Sequence, residues 1–341
     1  MHKKFHFQIR KIVCGLFLLG FLVFLVGAGN LRSVQAQDGG VMVPAPSFLT
    51  KPLLPSDVPV DFGKIDPHSG TTLVGTTVTM TWEKAGSTEN LFYLHCLDKT
   101  NNNVCDGNIM WSDNDTNRTI TNLDPGSTYY WQAWACLQSD GCRGANYGEW
   151  WSFKVPPVVV NSKGSQDGWV LESTKGSGVG GPYNSTSTTF QIGDSGLNRQ
   201  YRSILSFDTS TIPDTAIIKS AVLKIHSSST TGTNPFSILG NLNADIKKGF
   251  FGTSANLEAA DFKAAATANK VAIFGKTPAS GWYSASLNST GLASVNKTSL
   301  TQFRLYFDTA TNSNNTADNM LFYSGDGASY KPQLVISYNM P

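Results

Sequence analysis

Alternation of apolar and polar residues is the dominant pattern in the first half of the chain. Four stretches show short runs of strand character: TTVTMTW at 76–82, NLFYLHCL at 90–97, STYYWQAWAC at 127–136 and GEWWSFKV at 148–155. The third stretch places Tyr129, Trp131, Ala133 and Ala135 on one face, as a period of two residues requires. Regularly spaced strands with turn residues between them predict an antiparallel β-sandwich.

The second half repeats this pattern with one exception. Strands are predicted near 168–173, 188–193, 201–209, 217–227, 240–247, 282–288, 302–308, 319–323 and 332–338. The exception is NLEAADFKAAATANK at 256–270, whose alanines and apolar face of Leu257, Ala260, Phe262 and Ala264 predict a short helix. About nine strands and one helix favour a β-sandwich of the jelly-roll type.

Prolines, apolar runs and turn residues divide the chain into five predicted parts. They are a signal peptide at 1–36, a proline-rich spacer at 37–59, a sandwich at 60–155, a linker at 156–165 and the jelly roll at 166–341. Basic residues precede an apolar run at 12–29, and VQA at 34–36 fits a cleavage site, so we expect a secreted, extracellular protein. The apolar run is also long enough to serve as an uncleaved anchor, which would attach the protein to a cell surface.

Charge is unevenly distributed once the signal peptide is set aside. The full chain has 26 basic and 24 acidic residues, and five of the basic residues lie in 1–36, which leaves a net charge of −3. Residues 37–159 carry 7 basic and 13 acidic residues, whereas 160–341 carry 14 and 11. A mildly basic half in an exported protein suggests an acidic glycan or a cell surface as partner rather than nucleic acid, although two solvated surfaces would explain it equally well.

Four cysteines remain in the predicted mature chain, and all lie in its first half. An even number of cysteines in an exported protein indicates disulfide bonds. Three pairings are possible, and we favour Cys96–Cys105 with Cys136–Cys142 because each pair flanks a polar loop between predicted strands. Zinc is the weaker interpretation because the chain has no CxxC pair.

The segment LDPGSTYYWQAWA resembles the fibronectin type III pattern of a leucine, a Pro-Gly turn and a corner tyrosine. Leu123, Pro125, Gly126 and Tyr129 match that pattern, and Trp82 lies where the fold keeps an early core tryptophan. The resemblance covers about 60–155 and implies a fibronectin type III or immunoglobulin-like sandwich. Such a domain is expected to act as a spacer, since this fold implies no activity by itself.

The segment DGWVLES…NRQYRSILSFDTSTIP…IKSAVLKI, which ends in FYSGDGASYKPQLVISY, resembles the DNRLRE-domain family. That family is related to the family 96 carbohydrate-binding modules, and the resemblance covers about 166–339. Its signature is matched by Asn198, Arg199, Tyr201, Arg202, Ser203, Leu205, Phe207, Asp208, Ile212 and Pro213. The resemblance implies a non-catalytic jelly roll on a secreted protein, with affinity for acidic polysaccharides in some members. A longer middle segment at about 229–282 departs from the family pattern.

Motifs of catalysis are incomplete, so the chain is not expected to be an enzyme. GDSG at 193–196 matches part of a serine-protease motif, but a nucleophilic serine needs a histidine base and an orienting acid, and the predicted mature chain holds only three histidines. GSGVGG at 176–181 is not followed by a predicted helix, as a nucleotide-binding loop requires. Nothing in the spacing of the acidic residues nominates a pair for glycoside hydrolysis.

Two runs rich in asparagine and aspartate, at 98–108 and 308–319, offer oxygen atoms but lack the spacing of an EF-hand loop. We interpret both as solvated hairpin tips. No cofactor is expected. A structural calcium ion in the second domain, involving Asp167 or Asp208, remains an open hypothesis because these acids flank strands.

Recognition of a sugar requires aromatic rings and hydrogen-bonding groups, and an acidic sugar also requires Arg or Lys. The candidate carbohydrate-binding residues are Arg199, Tyr201, Arg202, Lys247, Lys248, Phe250, Trp169 and Tyr183. Trp282 and Tyr283 are further possible sources of rings. The alternatives are structural: the tryptophans as core residues, and Arg202 paired with Asp208 or another carboxylate across the sheet.

The sequence therefore predicts a secreted, non-catalytic protein that binds a polysaccharide of acidic character through its second domain. One alternative is a structural or adhesion protein of the cell envelope or extracellular space that binds protein neighbours. Another is a polysaccharide-processing enzyme whose site the sequence does not reveal.

Overall fold

The computed structural model describes residues 59–87, 90–137 and 141–341. The predicted signal peptide at 1–36, and the predicted spacer at 37–59 except its last residue, lie outside the described residues. The rest is an all-β protein of the β-sandwich class, which confirms the predicted fold class. None of the helices in the described part of the chain is long and apolar enough to cross a membrane.

Nine strands form the first sandwich. They are β1 (Lys64–Asp66), β2 (Thr71–Thr72), β3 (Val78–Trp82), β4 (Leu91–Asp98), β5 (Asn108–Trp111), β6 (Asn117–Ile120), β7 (Thr128–Leu137), β8 (Cys142–Gly144) and β9 (Trp151–Lys154), with a 3-10 turn at Ala145–Gly148. One sheet has the order β1-β3-β6, and the other has the order β2-β9-β7-β4-β5 with β8 added to β7. The alternating residues of β3 and β7 face each other across the core, as the hydrophobic pattern predicted.

The corner tyrosine and the early tryptophan both occupy the predicted places. Trp82 is buried beside Tyr93 in the core of the first sandwich. The hydroxyl oxygen of Tyr129 accepts a hydrogen bond from the backbone N–H of Asp124 at 3.0 Å. This bond fixes the turn before β7, which is the role of a tyrosine corner in sandwiches of this kind.

Both favoured disulfide pairings are confirmed. Cys96 of β4 is bonded to Cys105 in the loop that leads to β5. Cys136 and Cys142 are opposite residues of the β7–β8 hairpin. Bonds of this kind are typical of an extracellular or otherwise oxidising compartment.

Twelve strands form the second sandwich. They are β10 (Val158–Asn161), β11 (Gly168–Glu172), β12 (Gly180–Asn184), β13 (Thr189–Asp194), β14 (Gln200–Asp208), β15 (Ile217–Thr231), β16 (Leu242–Lys248), β17 (Ala268–Ile273), β18 (Trp282–Ser286), β19 (Leu300–Phe307), β20 (Asp318–Tyr323) and β21 (Gln333–Asn339). Two short helices, α1 (Pro235–Ile238) and α2 (Ser289–Ser294), and 3-10 turns at Gly164–Gln166 and Ala259–Phe262 connect them.

The long strand β15 joins the two layers of this sandwich. Its first part pairs with β21 and β18, and its last part pairs with β20. We call the layer β10-β21-β15-β18 the front sheet, and the layer that runs from β20 through β13, β14, β19 and β16 to β17 the back sheet. Phenylalanine and aliphatic side chains from both layers form one core between them.

Three strands of the second sandwich were not predicted from the sequence. The stretch 156–165, predicted as a linker, contains β10, which pairs along its whole length with β21 of the front sheet. The segment PPVVVN shows no alternation of polar and apolar residues because valines occupy both faces of this short edge strand, so its pattern carried no signal. Strands β12 and β17 also lie at edges, where the alternation of polar and apolar residues is weak.

The helix predicted at 256–270 is absent, so this prediction was wrong. Only the 3-10 turn Ala259–Phe262 forms, and β17 begins at Ala268. Two arginines take the carbonyl oxygens that a helix would need, because Arg202 binds the carbonyl of Phe262 and Arg304 binds those of Asp261 and Ala264. Tertiary hydrogen bonds therefore override the local helix preference of the alanines.

The two sandwiches touch at the turn before β7. Asp124 Oδ1 accepts a hydrogen bond from the backbone N–H of Met340 at 2.7 Å, and its other oxygen pairs with Lys99. Gly126 adopts a φ of +81°, and a Cβ atom at this position would lie 2.0 Å from Ser337 Oγ. Glycine is therefore required here both for its backbone conformation and for the close approach of the second sandwich.

Lys64 is a buried cation in the core of the first sandwich. Its Nζ donates to Gln132 Oε1 at 3.0 Å and to the carbonyl of Glu149, and it lies over the rings of Trp131 and Trp151. Burial lowers the pKa of Lys64 to about 7, although the charge of Glu149 opposes this shift. The folded chain therefore holds this proton less tightly than the unfolded chain does.

We expect the stability of the first sandwich to rise with pH because of Lys64. Below pH 7 both states carry the proton, and between pH 7 and about 10 only the unfolded state does, so the free energy of unfolding should rise by up to about 1.4 kcal/mol per pH unit. Urea unfolding at pH 7, 8 and 9, followed by tryptophan fluorescence, measures this slope. Lys64→Met should reduce the slope and the exposed-site control Lys84→Met should not; equal slopes in all three proteins would contradict the assignment.

Candidate functional site

The residues predicted to bind carbohydrate do not converge on one surface. Strands β14, β19 and β16 pair in a register that sets Arg199 beyond one end of the back sheet and Lys247 and Lys248 near the other. Strand residues rise by about 3.3 Å each, so roughly 25 Å separate the two predicted basic groups. They cannot hold the same sugar unit.

Arg202 has a structural role. Its Nε donates to Gln200 Oε1 at 2.7 Å, its Nη1 donates to the Phe262 carbonyl at 2.8 Å, and its guanidinium lies 4.3 Å from the centre of the Phe262 ring. Burial and the neighbouring charge of Arg304 lower its pKa. The side chain is not paired with Asp208, which instead lies 3.9 Å from Lys163.

A covering segment at 249–267, which we call the strap, explains the position of Arg202. It packs Phe251, Leu257 and Phe262 against Ile204 of β14 and Val170 of β11, a strand that pairs with β14 of the back sheet. The outer face of this part of the sheet is therefore a second, smaller core and not a surface for a ligand.

A buried ion pair holds the strap in place. Arg304 Nη2 lies 2.7 Å from Asp245 Oδ2, and its Nη1 donates to the strap carbonyls of Asp261 and Ala264 at 3.1 and 2.6 Å. Tyr306 donates to the other oxygen of Asp245 at 3.0 Å, and burial together with that carboxylate raises the pKa of Tyr306 to about 12.

The other predicted residues lie apart from one another. Lys247 donates to the strap carbonyl of Ala265 at 3.1 Å, whereas the side chains of Lys248 and Phe250 are exposed. Tyr183 is exposed on the edge strand β12. Arg199 is half-buried, and its Nη1 makes one long bond of 3.4 Å to the Ser173 carbonyl.

Trp169 and Tyr201 are the only two predicted rings in contact in the described part of the chain. Their centroids are 5.3 Å apart in an edge-to-face arrangement, and Trp169 packs partly against the main core. A narrow cavity of about 190 Å³ lies beside Trp169 and is lined also by Asn184, Gln191 and Leu321. This volume is below the 300–1,000 Å³ of typical small-molecule sites, so the pair is better explained as packing.

The two acids of the calcium hypothesis are bound by protein donors. Asp167 is fully buried, and its oxygens accept the backbone N–H groups of Ser206 at 2.8 Å and Gly325 at 3.1 Å. Burial raises its pKa to about 7. Asp208 is half-exposed and accepts from Ser210 at 2.6 Å. Neither carboxylate lies in a group of three or more metal-binding side chains, and the described residues contain no such group.

The structure reveals a different cluster of rings, which we call the aromatic platform and which consists of His226, Trp282, Tyr323 and Tyr330. His226 lies at the centre of the platform. The centroid of its ring is 4.1 Å from that of Tyr330, 5.1 Å from that of Trp282 and 5.7 Å from that of Tyr323. Tyr330 is 50% exposed, and the other three rings are half-buried. The platform therefore presents ring surface to solvent while its members fix one another.

Strand register assembles the platform on the outer face of the front sheet. His226 of β15 is directly opposite Trp282 of β18. Lys224 lies two residues before His226 on the same face, with its Nζ 5.1 Å from the centre of the Trp282 ring. A Cβ atom at Gly281, where φ is +82°, would lie 2.5 Å from the His226 ring, so only glycine allows this packing.

Serine and glutamine side chains surround the platform. Ser284 and Gln333 are the residues opposite Lys224 on the two neighbouring strands, so they share its face. The imidazole Nδ1 of His226 donates to the Ser227 carbonyl at 2.8 Å, which fixes the orientation of the ring. Flat rings, one cation and short polar side chains on an open sheet form a shallow recognition surface.

Sequence reasoning named only Trp282 from this surface, as a possible source of rings. The signal that was available is the alternation of Lys224 and His226 with the buried residues of IIKSAVLKIHSS. Tyr330 lies in a turn 104 residues after His226, and no local pattern connects the two. Long-range register was therefore the missing information.

Comparisons with known proteins give no closer identification. No family model matches the chain, and no curated protein matches it. Among solved structures, it is similar to a chitinase from Bacillus thuringiensis, ChiA74, with 8% identity and a TM-score of 0.20 over 74% of this chain and 27% of that one. An α-L-rhamnosidase from Streptomyces avermitilis in complex with L-rhamnose has 10% identity and a TM-score of 0.22 over 82% of this chain and 24% of that one.

Chicken CNTN1 domains FN1–FN3 have 8% identity and a TM-score of 0.19, with 83% of this chain and 67% of that one covered. Scores near 0.2 carry no argument about fold or function. The chain spans about a quarter of the chitinase and of the rhamnosidase. The fold described above therefore rests on the strand pairing of this protein alone.

We expect Arg304→Met to lower the free energy of unfolding of the second sandwich by about 3–5 kcal/mol, because it leaves Asp245 charged and buried without a cation. The double variant Arg304→Met/Asp245→Asn should recover a large part of this loss. Urea unfolding measures both.

The matched control is Arg199→Met, which removes one long hydrogen bond and should cost about 1 kcal/mol or less. A double variant no more stable than Arg304→Met would contradict the role of the ion pair.

Proposed function

We propose that the protein is a secreted, non-catalytic polysaccharide-binding protein and that the aromatic platform is its binding site. The observation that supports this proposal is the cluster of four rings on a solvent-exposed face of the sheet. A ring face packs against the C–H face of a sugar and removes apolar area from water, and a rigid ring loses little conformational entropy in doing so. The first sandwich then acts as a spacer.

Lys224 favours an acidic polysaccharide as the ligand. Its ammonium group lies over Trp282, next to the ring on which a sugar would stack, so a uronate carboxylate there would gain a charge-assisted contact. The net positive charge of residues 160–341 supports the same class of ligand. The proposed resemblance to the DNRLRE-domain family implies the same class of ligand, and it is independent of this argument.

A second candidate function is adhesion to a protein. Val159, Val335 and Val222 are opposite residues on three neighbouring strands of the front sheet, on the same outer face as the platform. Val159 is 48% exposed. A row of apolar side chains next to exposed rings would also suit a protein partner.

Affinity electrophoresis of the mature chain through gels that contain alginate, pectate or a neutral glucan tests the proposal. We expect retardation by the two polyuronates that weakens between low and moderate salt, because salt screens exposed charges. Trp282→Ala and Tyr330→Ala should each weaken binding about ten-fold, or about 1.4 kcal/mol. Lys224→Met should weaken binding of the polyuronates several-fold, mainly at low salt.

Trp111→Ala is the matched control, because Trp111 is an exposed tryptophan of the first sandwich (62% exposed) and should leave retardation unchanged. Loss of binding in Lys247→Met/Lys248→Met, with the platform variants unaffected, would move the site to the strap end. No retardation in any gel would exclude these glycans and favour adhesion. Shortening of the polymer during incubation would show an enzyme.

A further inference from the structure

The outer face of the front sheet carries a line of polar side chains next to the aromatic platform. Lys224 of β15 is opposite Ser284 of β18 on one side and opposite Gln333 of β21 on the other. Gln333 is in turn opposite Asn161 of the edge strand β10. Opposite residues of antiparallel strands share a face, so these four side chains form one line across four strands, which we call the polar row.

The side chains of the polar row are available to a ligand. Asn161 and Ser284 are exposed, and Lys224 and Gln333 are half-buried. In the described part of the chain, the ammonium group of Lys224 lies over the Trp282 ring, and no hydrogen bond joins any of the four side chains to the protein. Amide, hydroxyl and ammonium groups of this kind can bond to the hydroxyl and carboxylate groups of a sugar.

Less polar side chains flank the polar row on both sides. On one side are His226 and Trp282 of the platform, which are opposite each other. On the other side are Val222, Val335 and Val159, which are likewise opposite residues on three neighbouring strands. Rings and aliphatic side chains can pack against the C–H groups of a sugar while the polar row supplies hydrogen bonds, so the three lines together match the mixed surface of a sugar chain.

The surroundings of this face leave one direction open for a long polymer. Along the strands, one end of the face meets the first sandwich, where Gly126 lies against the outward-facing Ser337 of β21. At the other end, Tyr330 stacks on His226. Across the strands, the polar row ends at β18 and at β10, which are the two edge strands of the front sheet. A chain that crosses the strands can therefore continue past both edges.

The polar row leads to a cavity at its β18 end. This cavity has a volume of about 470 Å³ and is lined by Ser284 and Ser286 of β18 and by Ile273 of β17, among others. Its volume lies within the range of typical small-molecule sites. A sugar unit that extends beyond β18 therefore enters a further depression of the surface and does not meet a wall.

We infer that the polar row, with the platform beside it, holds an internal segment of an acidic polysaccharide that crosses the strands of the front sheet. Neighbouring strands are about 4.8 Å apart, so the row spans about 14 Å and offers one polar side chain at each strand. This spacing is close to the length that one pyranose unit adds to an extended chain. Lys224 pairs with a carboxylate of the polymer, and Asn161 is the outermost hydrogen-bonding residue on the β10 side.

This inference rests on the proposed function of the platform, and it specifies how the polymer lies and how much of it is bound. Competition by size-defined oligogalacturonates and oligomannuronates in the affinity gels measures that length. We expect the affinity of the mature chain to rise about ten-fold or more between two and four sugar units and to level off beyond about six. Full affinity for a two-unit oligomer would overturn the proposal.

Modification of the chain end tests whether the bound segment is internal. Reduction of the terminal sugar of an eight-unit oligomer to the open-chain alditol should leave its affinity unchanged, because the polar row is open at both edges of the sheet and holds no chain end. Loss of binding after this reduction would show that the protein recognises the end of the polymer and would contradict the inference.

Two variants with the same change in charge test the direction of the polymer. Asn161→Asp places a carboxylate at the end of the polar row, whereas Ser220→Asp places one on the same face of β15, about 13 Å before Lys224 along the strand. Both positions are exposed, so the unfolding temperature should not change. At about 0.1 M salt, where charges more than about 10 Å apart are largely screened, we expect Asn161→Asp to weaken polyuronate binding about ten-fold and Ser220→Asp about two-fold or less. A loss in Ser220→Asp that equals or exceeds the loss in Asn161→Asp would reject a path across the strands.

The results also separate this inference from the proposed function. Absence of binding to every polymer and oligomer would remove the proposed function and this inference with it. Binding that Trp282→Ala weakens, but that Asn161→Asp and Ser220→Asp affect equally, would retain the platform as the site and reject only the path along the polar row.

Discussion

The buried ion pair of Arg304 and Asp245 determines which faces of the second sandwich are open. Arg304 binds two carbonyl oxygens of the strap through Nη1 in addition to the carboxylate, although its buried Nε has no hydrogen-bond partner. The strap is thereby drawn over the outer face of the back sheet, where Phe251, Leu257 and Phe262 form a second core. The signature arginine Arg202 is enclosed by the same segment. Within the described residues, no segment covers the centre of the front sheet in this way, and that is where rings are exposed.

Three buried aspartates of this domain are compensated in three different ways. Asp245 has a cation, and Asp167 has two backbone amides and a raised pKa. Asp194 has a second carboxylate opposite it and is hydrogen-bonded by Thr311 and by the backbone N–H groups of Asn312 and Asp318, yet burial still raises its pKa. Burial alone therefore does not distinguish them. The difference lies in what faces each carboxylate, which is a cation for Asp245, backbone amides for Asp167 and a second carboxylate for Asp194.

The fold was largely predictable, and the site was not. Alternation identified β15, whose outer face is exposed to solvent, and the apolar and aromatic residues of β7, β14 and β19 identified these strands although both of their faces are largely buried. The hydrophobic pattern missed the edge strand β10. At 256–270 the alanine-rich sequence does favour a helix locally, but Arg304 and Arg202 bind the carbonyl oxygens that the helix would need. The disulfides followed from short loops. The predicted basic and aromatic residues are of the kinds that bind sugars, but the residue type does not determine where a side chain points. The side chains of Arg202 and Lys247 contact the strap.

The platform depends on a register shift in β15 that no sequence pattern predicted. The register of β15 shifts between Ser227 and Ser229, and there the strand passes from partners in the front sheet to β20 of the back sheet. His226 stands just before this shift, so it has Trp282 as its neighbour on one side and Tyr323 on the other. A slip of one residue would turn His226 and Lys224 into the core and the buried Ile225 outward. The rings therefore meet only where the two layers join, and the same bulge that closes the sandwich assembles its exposed aromatic surface.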